Sequence, residues 1–118
     1  MKKKYQMKSE YLDKWLAQLR DPKSKQVLSR YFDYGKGENA KEYLSRMEAT
    51  NEPVCGCALG HLVVTIPELC LDKYGYVMMS LCNVATPDTL ERALSMNDYD
   101  KKSLPEIADW LEANVERV

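Results

Sequence analysis

The chain has 118 residues, of which 45% are hydrophobic and 30% are charged, and its formal net charge at pH 7 is −1. This length predicts one domain with a single hydrophobic core. No apolar run reaches the roughly 18 residues of a transmembrane helix. The basic start lacks the apolar segment of a signal peptide, so we expect a cytoplasmic protein. In that compartment the four cysteines should be reduced thiols rather than a disulfide framework.

The charge is unevenly distributed along the chain. Residues 1–30 carry nine basic and three acidic side chains, a net charge of +6, whereas residues 31–83 come to −3. Residues 84–118, with eight acids and four bases, come to −4. Such polarity indicates charged surfaces that attract partners. Lysines and tyrosines alternate near the start and suit a nucleic-acid-binding accessory protein, but a pI of about 5.9 argues against direct nucleic-acid binding.

The first part of the chain predicts a leader and a helix. Residues 1–7 are expected to form a flexible basic leader, and residues 8–118 a single helical domain. Apolar residues recur at helical spacing from a cap at Ser9 to about Arg20. Pro22 ends this helix because a residue before proline is disfavoured in the α region.

The next segments are less regular. Residues 25–32 and 76–82 each fit either a helix or a short extended piece, since short apolar runs do not separate the two. The glycines of Gly35–Gly37 predict a flexible break. A short helix is then expected at about Asn39–Met47.

Val54–Ile66 is the most continuously apolar run and is predicted to be a buried central helix that ends at Pro67. Residues 61–66 are β-branched enough for a strand, but the helical neighbours favour a helix. Gly56 and Gly60 stand four residues apart, so one side of this helix would let a neighbouring helix come close.

The last part of the chain contains two helix signals. Thr86-Pro87 predicts a start, with an N-cap followed by proline at the first helical position, and Asn97-Asp98 predicts the turn that ends that helix. Ser103 and Glu106 predict a capping box for the last helix. One narrow apolar arc then follows, made of Leu104, Ile107, Ala108, Leu111 and Val115.

These patterns together predict a mainly α fold. We expect a compact single-domain bundle of five to six helices packed around the central helix. A small hairpin remains an alternative for part of the chain.

Three segments carry a further pattern. They are Trp15, Ala17, Leu19 and Arg20 followed by Lys25-Gln26; Cys55-Gly56-Cys57-Ala58-Leu59-Gly60; and Met96-Asn97-Asp98 with Ser103–Glu112. In these segments the chain resembles a family of small uncharacterised phage and prophage proteins. Asp100 and Leu104 depart from the family pattern, which usually has glycine and phenylalanine there.

The resemblance implies a phage origin and a compact, largely helical fold. It carries over no catalytic residue, because the family has no assigned activity. Small phage proteins often bind and block a host component, including CRISPR-type defence. The implied function is therefore a non-enzymatic protein that modulates or inhibits a host protein or ribonucleoprotein complex, as an anti-CRISPR inhibitor does.

Cysteine and histidine side chains offer other interpretations. Cys55, Cys57, His61 and Cys70 are candidate ligands of a structural zinc ion, although paired cysteines in zinc knuckles are separated by about two to four residues. A Cys57–His61 dyad would suit a small thiol enzyme, but nothing supplies an orienting group or an oxyanion hole. We expect no cofactor and no catalysis, and a buried His61 bonded to a backbone carbonyl.

The last helix contains the candidate partner-binding residues. Glu106, Asp109, Glu112 and Glu116 fall on the arc opposite the core, with no lysine among them. Like charges at these spacings destabilise a helix by a few tenths of a kcal/mol per pair. The arc is therefore either a surface that docks on a basic groove or a solvated outer face tolerated for solubility. Trp110, at the edge of the apolar arc, is either a core residue or an interface anchor.

Overall fold

The computed structural model describes residues 4–66 and 81–118. Five α-helices lie within these residues: α1 (Ser9–Arg20), α2 (Ala40–Thr50), α3 (Ala58–Val64), α4 (Pro87–Asp98) and α5 (Leu104–Asn114). Four strands of two residues each accompany them: β1 (Gln6–Met7), β2 (Lys25–Gln26), β3 (Cys55–Gly56) and β4 (Glu116–Arg117). The predicted mainly α, compact single-domain fold is confirmed. Of the segment 76–82, only Leu81, which is buried, and Cys82, which is exposed, are described.

α1 and α5 form an antiparallel pair that buries both predicted apolar stripes. α1 buries Leu12, Trp15, Leu16 and Leu19, and α5 buries Leu104, Ile107, Ala108 and Leu111. The capping box of Ser103 and Glu106 is confirmed, with both reciprocal bonds present. At α1 the cap is Lys8, without a side-chain bond, and Ser9 is the first helical residue, so the predicted cap at Ser9 is wrong.

α2 begins where the sequence predicts and runs three residues further. The Asn39 side chain accepts a hydrogen bond from the Glu42 amide, and the Glu42 carboxylate accepts one from the Asn39 amide, which completes a second capping box. The helix ends at Thr50, and its C-cap Asn51 has a φ of 54°, the left-handed conformation common after helices.

The central apolar run is not one helix, so the prediction of a helix over Val54–Ile66 is wrong for its first part. Cys55–Gly56 is a strand, Cys57 is the N-cap of α3, and the helix covers only Ala58–Val64. The physical reason is backbone pairing with residues distant in the sequence. β3 pairs with β2, and its Gly56 also forms a bridge with Phe32. These backbone bonds hold the residues before Cys57 in an extended conformation.

The two glycines of this run do allow a close approach, but the neighbour is the non-helical backbone at Tyr31 rather than a helix. A Cβ on Gly60 would lie 2.1 Å from the Tyr31 carbonyl oxygen, and one on Gly56 would lie 2.8 Å from the same atom. Residues 25–32 are not a helix, and they are extended only at the two ends, in β2 and at the Phe32 bridge. The chain bends between these ends, and Ser29 has a left-handed φ of 64°.

Both pairs of strands are parallel, with β1 against β4 and β2 against β3, so the described residues contain no hairpin. β1 also corrects the predicted leader, because Gln6 and Met7 are paired with Glu116 and Arg117 and Met7 is buried. The pairing of β1 with β4 thus places residues 6–7 beside residues 116–117.

α4 starts at Pro87 after Thr86, as predicted. The helix ends at Asp98, as predicted for this dipeptide, but the predicted turn is wrong, because Asn97 and Asp98 are still helical and Asn97 is fully buried. Within the described part of the chain, no helix is long and apolar enough to cross a membrane.

Candidate functional site

The four predicted acidic residues do not form one stripe along α5. Glu106, Asp109 and Glu112 lie on the helix, whereas Glu116 lies in β4 beyond its end. The helix stops at Asn114 because the residues that follow pair with β1. Glu106 is occupied by the capping box, and its bonds to Ser103 lower the pKa of the Glu106 carboxyl. The acidic surface of α5 therefore consists mainly of Asp109 and Glu112.

Asp109 and Glu112 share one cation that the sequence pattern did not place beside them. Arg20, at the end of α1, donates to Asp109 Oδ1 at 2.9 Å and to Glu112 Oε2 at 2.6 Å. These bonds, the one to Glu112 first, raise the pKa of the Arg20 guanidinium. The Asp109 and Glu112 side chains are still 74% and 53% exposed. The cluster carries a net charge of −1 and stays open to solvent.

A second ion pair of reversed polarity lies at the other end of the α1–α5 pair. Arg117 in β4 donates to Asp13 on α1, and both side chains are largely exposed. Together with the Arg20 cluster, this pair places acidic side chains opposite basic ones at both ends of the antiparallel helix pair. Part of the charge asymmetry of the chain is thus satisfied within the molecule.

Trp110 lies beside this surface in a half-buried position. The ring of Tyr5 packs edge-on against it, with centroids 4.9 Å apart and planes at 84°, and the Arg92 guanidinium lies 5.6 Å from its centroid. Arg92 in turn lies 3.9 Å from Asp100. Trp110 is therefore neither fully core nor free to rotate, and Trp15 by contrast is fully buried.

Tyr5 and Arg92 were not predicted as parts of this site. Tyr5 reaches Trp110 because its carbonyl accepts the Glu116 amide at 2.9 Å, which aligns the start of the chain with its far end. No local pattern marks a pairing between two-residue strands so distant in sequence. Arg92 lies on α4, and nothing in its local sequence marks a contact with Trp110.

The candidate zinc ligands do not converge. Cys55 lies in β3, the Cys57 sulfur accepts the Gly60 amide at 3.4 Å as the cap of α3, and His61 bonds other partners. Cys70 lies outside the described residues. In residues 4–66 and 81–118, no group of three or more histidine, cysteine or acidic side chains is placed to hold a metal ion.

The described central thiols are also poorly suited to nucleophilic attack, because the reactive species is the thiolate. Burial raises the pKa of the Cys57 thiol to about 11, from an ordinary value of 9.0. Burial, and then the nearby Asp33 carboxylate, raise the pKa of Cys55. Cys55 opens on a polar cleft of about 370 Å³ that Lys25 and Arg46 also line. Among the described residues that line this cleft, none is a base hydrogen-bonded to the Cys55 sulfur.

His61 is buried and bonded to a backbone carbonyl, as predicted. Its Nε2 lies 2.7 Å from the Lys25 carbonyl oxygen, and its Nδ1 lies 3.0 Å from Gln18 Nε2. Burial lowers the pKa of the imidazole from its ordinary value of 6.5. The ring joins α3 to α1 and β2 in its neutral form.

Asn97 is a fully buried polar residue that the sequence pattern did not predict. Its Oδ1 accepts from the Ala58 amide at 3.1 Å and from Gln26 Nε2 at 2.8 Å, while its Nδ2 donates to the Val27 carbonyl at 3.1 Å. Asn-Asp dipeptides are typical of turns, and that propensity pointed to the surface. The side chain instead fixes β2 and the start of α3 on α4.

Comparisons with known proteins add no identification. No family model matches the chain, and no curated protein and no solved structure matches it. The resemblance to phage and prophage proteins therefore stays a prediction.

Proposed function

We propose that this chain is a non-enzymatic protein-binding module of phage or prophage origin. It acts in the bacterial cytoplasm, where it modulates or inhibits a host protein or ribonucleoprotein complex in the manner of an anti-CRISPR inhibitor. The observation that carries the proposal is the half-exposed Trp110, held by Tyr5 and Arg92 beside the exposed carboxylates of Asp109 and Glu112. The residues shared with the phage proteins support the origin.

The composition of this surface favours a protein partner. Tryptophan, tyrosine and arginine are the residue types enriched at binding hot spots. Because contacts with Tyr5 and Arg92 already fix the Trp110 ring, binding would cost little additional side-chain entropy. Asp109 and Glu112 add a negative edge that would steer a basic partner surface toward the ring.

The chemistry of the central residues supports a non-enzymatic role. The pKa values of Cys55 and Cys57 are raised, which leaves few thiolates at neutral pH. Both nitrogens of His61 are already bonded, so this ring has no free position to act as a base toward a substrate.

Capture from bacterial lysate, followed by affinity measurement with the purified partner, tests the proposal. We expect Asp109→Lys and Trp110→Ala each to weaken binding by about tenfold or more, equivalent to about 1.4 kcal/mol. Glu48→Lys is the matched control, since it makes the same charge change at an exposed position on α2. Unchanged affinity in both Asp109→Lys and Trp110→Ala would contradict docking through this surface.

The inhibitory part of the proposal has its own test. Expression of the chain in bacteria with an active CRISPR-type defence should raise the plating efficiency of a targeted phage. The Trp110→Ala variant should lose this effect while it remains folded by circular dichroism. Equal plating with and without the chain would contradict inhibition of that defence but would leave partner binding intact.

A further inference from the structure

The hydrogen bonds around His61 form a closed set in which every proton is assigned. The Lys25 carbonyl only accepts, so His61 Nε2 carries a hydrogen and donates to it at 2.7 Å. The neutral Nδ1 is then an acceptor, and Gln18 Nε2 donates to it at 3.0 Å. The second hydrogen of that amide points to Ser24 Oγ at 3.3 Å. The Ser24 hydroxyl donates in turn to the backbone carbonyl of Gln18 at 2.7 Å.

A proton added to His61 has no acceptor in this arrangement. Protonated Nδ1 would face the Gln18 amino group, so two donors would oppose each other inside the domain. Turning the Gln18 amide over would offer its oxygen to the ring. The amino group would then lose its bonds to both His61 and Ser24, and Ser24 precedes β2 directly.

We propose that His61 is an acid-sensitive latch that holds β2 on α1 and α3 and releases it when the ring takes up a proton. The release is local. Lys25 bonds the Val54 carbonyl at 3.0 Å and Val27 bonds the Gly56 carbonyl at 3.2 Å, whereas Asn97 holds the far side of the same segment through Val27. Acid therefore loosens the edge of the small sheet while the helical core stays folded.

The charged groups near the ring influence its protonation less than burial does. Among the elements around α3, α1 ends next to Asp21, β2 contains Lys25, β3 contains Cys55 and α4 contains Asp98. Burial is the largest influence and lowers the pKa of His61, while the Lys25 carbonyl and the Asp21 carboxylate favour protonation. A histidine with a lowered pKa in the closed form binds protons more readily when open. Opening is thus promoted as pH falls through the ordinary value of 6.5.

Hydrogen exchange followed by NMR tests the latch in the full chain. After correction for the intrinsic effect of pH, opening at the Lys25 and Val27 amides should increase by up to about tenfold per pH unit below 6.5. Amides of α4 and α5 should show no such increase. His61→Gln should remove the pH dependence. Gln18→Glu should keep β2 closed at pH 5.5, because a carboxylate accepts the Nδ1 proton.

The wild-type chain alone is sufficient if the variants do not fold. His61 is the only histidine, so its ring gives a single set of NMR signals. The nitrogen shifts should show a proton on Nε2 at pH 7.5, and ring protonation should coincide with loss of protection in β2. Ring protonation without change in β2, equal loosening of all helices, or an unchanged pH response in His61→Gln would overturn the proposal.

Discussion

The α1–α5 pair and the centre of the domain are held together in different ways. α1 and α5 pack through continuous apolar stripes, and their polar contacts are exposed ion pairs of Arg20 and Arg117. At the centre, β2, β3 and α3 are joined by buried polar side chains, Asn97 and His61, whose partners lie 36 to 71 residues away. Exposed ion pairs are worth little, whereas a buried polar group that loses its partner is costly. We expect substitutions at the centre to dominate stability.

The largest effect is expected from Gly60→Ala. The new Cβ would lie 2.1 Å from the Tyr31 carbonyl oxygen, so either α3 or the backbone near Tyr31 must move. We expect a loss of about 3 kcal/mol or more in the free energy of unfolding, measured by urea denaturation. Gly35→Ala is the control, because its Cβ would come no closer than 3.4 Å to any neighbour and would meet side chains, those of Glu38 and Arg46, rather than backbone. Similar stability of both variants would contradict this packing.

A somewhat smaller effect is expected from Asn97→Ala. The change leaves the Ala58 amide and the Val27 carbonyl without their buried partner, at a cost of about 2–3 kcal/mol in unfolding free energy. Asn114→Ala is the control, since Asn114 is exposed and its side chain donates to the Trp110 carbonyl within the same helix. A loss below about 0.5 kcal/mol at Asn97 would mean that water or a repacked neighbour replaces its bonds.

The smallest effect is expected from Arg20→Gln. Its bonds to Asp109 and Glu112 are solvent-exposed, so the unfolding free energy should fall by less than about 1 kcal/mol, and less still at high salt. Denaturation at two ionic strengths measures both. Arg30→Gln, which removes an exposed pair with Asp33 within one loop, should behave alike. A loss of unfolding free energy as large as that of Asn97→Ala would contradict the expected difference between the α1–α5 pair and the centre of the domain.

The same contrast explains which parts of the fold the sequence predicts. Helical stripes, the Ser103–Glu106 capping box and the Thr86-Pro87 start depend on residues within a few positions of each other, and the structure contains all of them. The strand at Cys55–Gly56 depends on pairing with β2 and Phe32, which no local pattern encodes. The local pattern therefore predicts a helix over the whole of Val54–Ile66.

The candidate site was predictable to a similar degree. Asp109, Trp110 and Glu112 follow from the amphipathic pattern of α5. Their partners do not, because Arg20 and Tyr5 reach them from the other end of the sequence. Because the sequence pattern does not place Arg20 beside them, it predicts a stripe of uncompensated acidic residues. Because the pattern also does not reveal β4, it extends this stripe to Glu116.

The parallel pairing of β1 with β4 has a practical consequence for protein engineering. Residues 6–7 and 116–117 are neighbours in the fold, so a short linker can join these two regions. New termini can then be opened at Gly37, an exposed turn position with φ of 74° and no atom near its missing side chain. Such a circular permutant would move any affinity tag away from Tyr5 and Trp110 and leave that surface free for a binding partner.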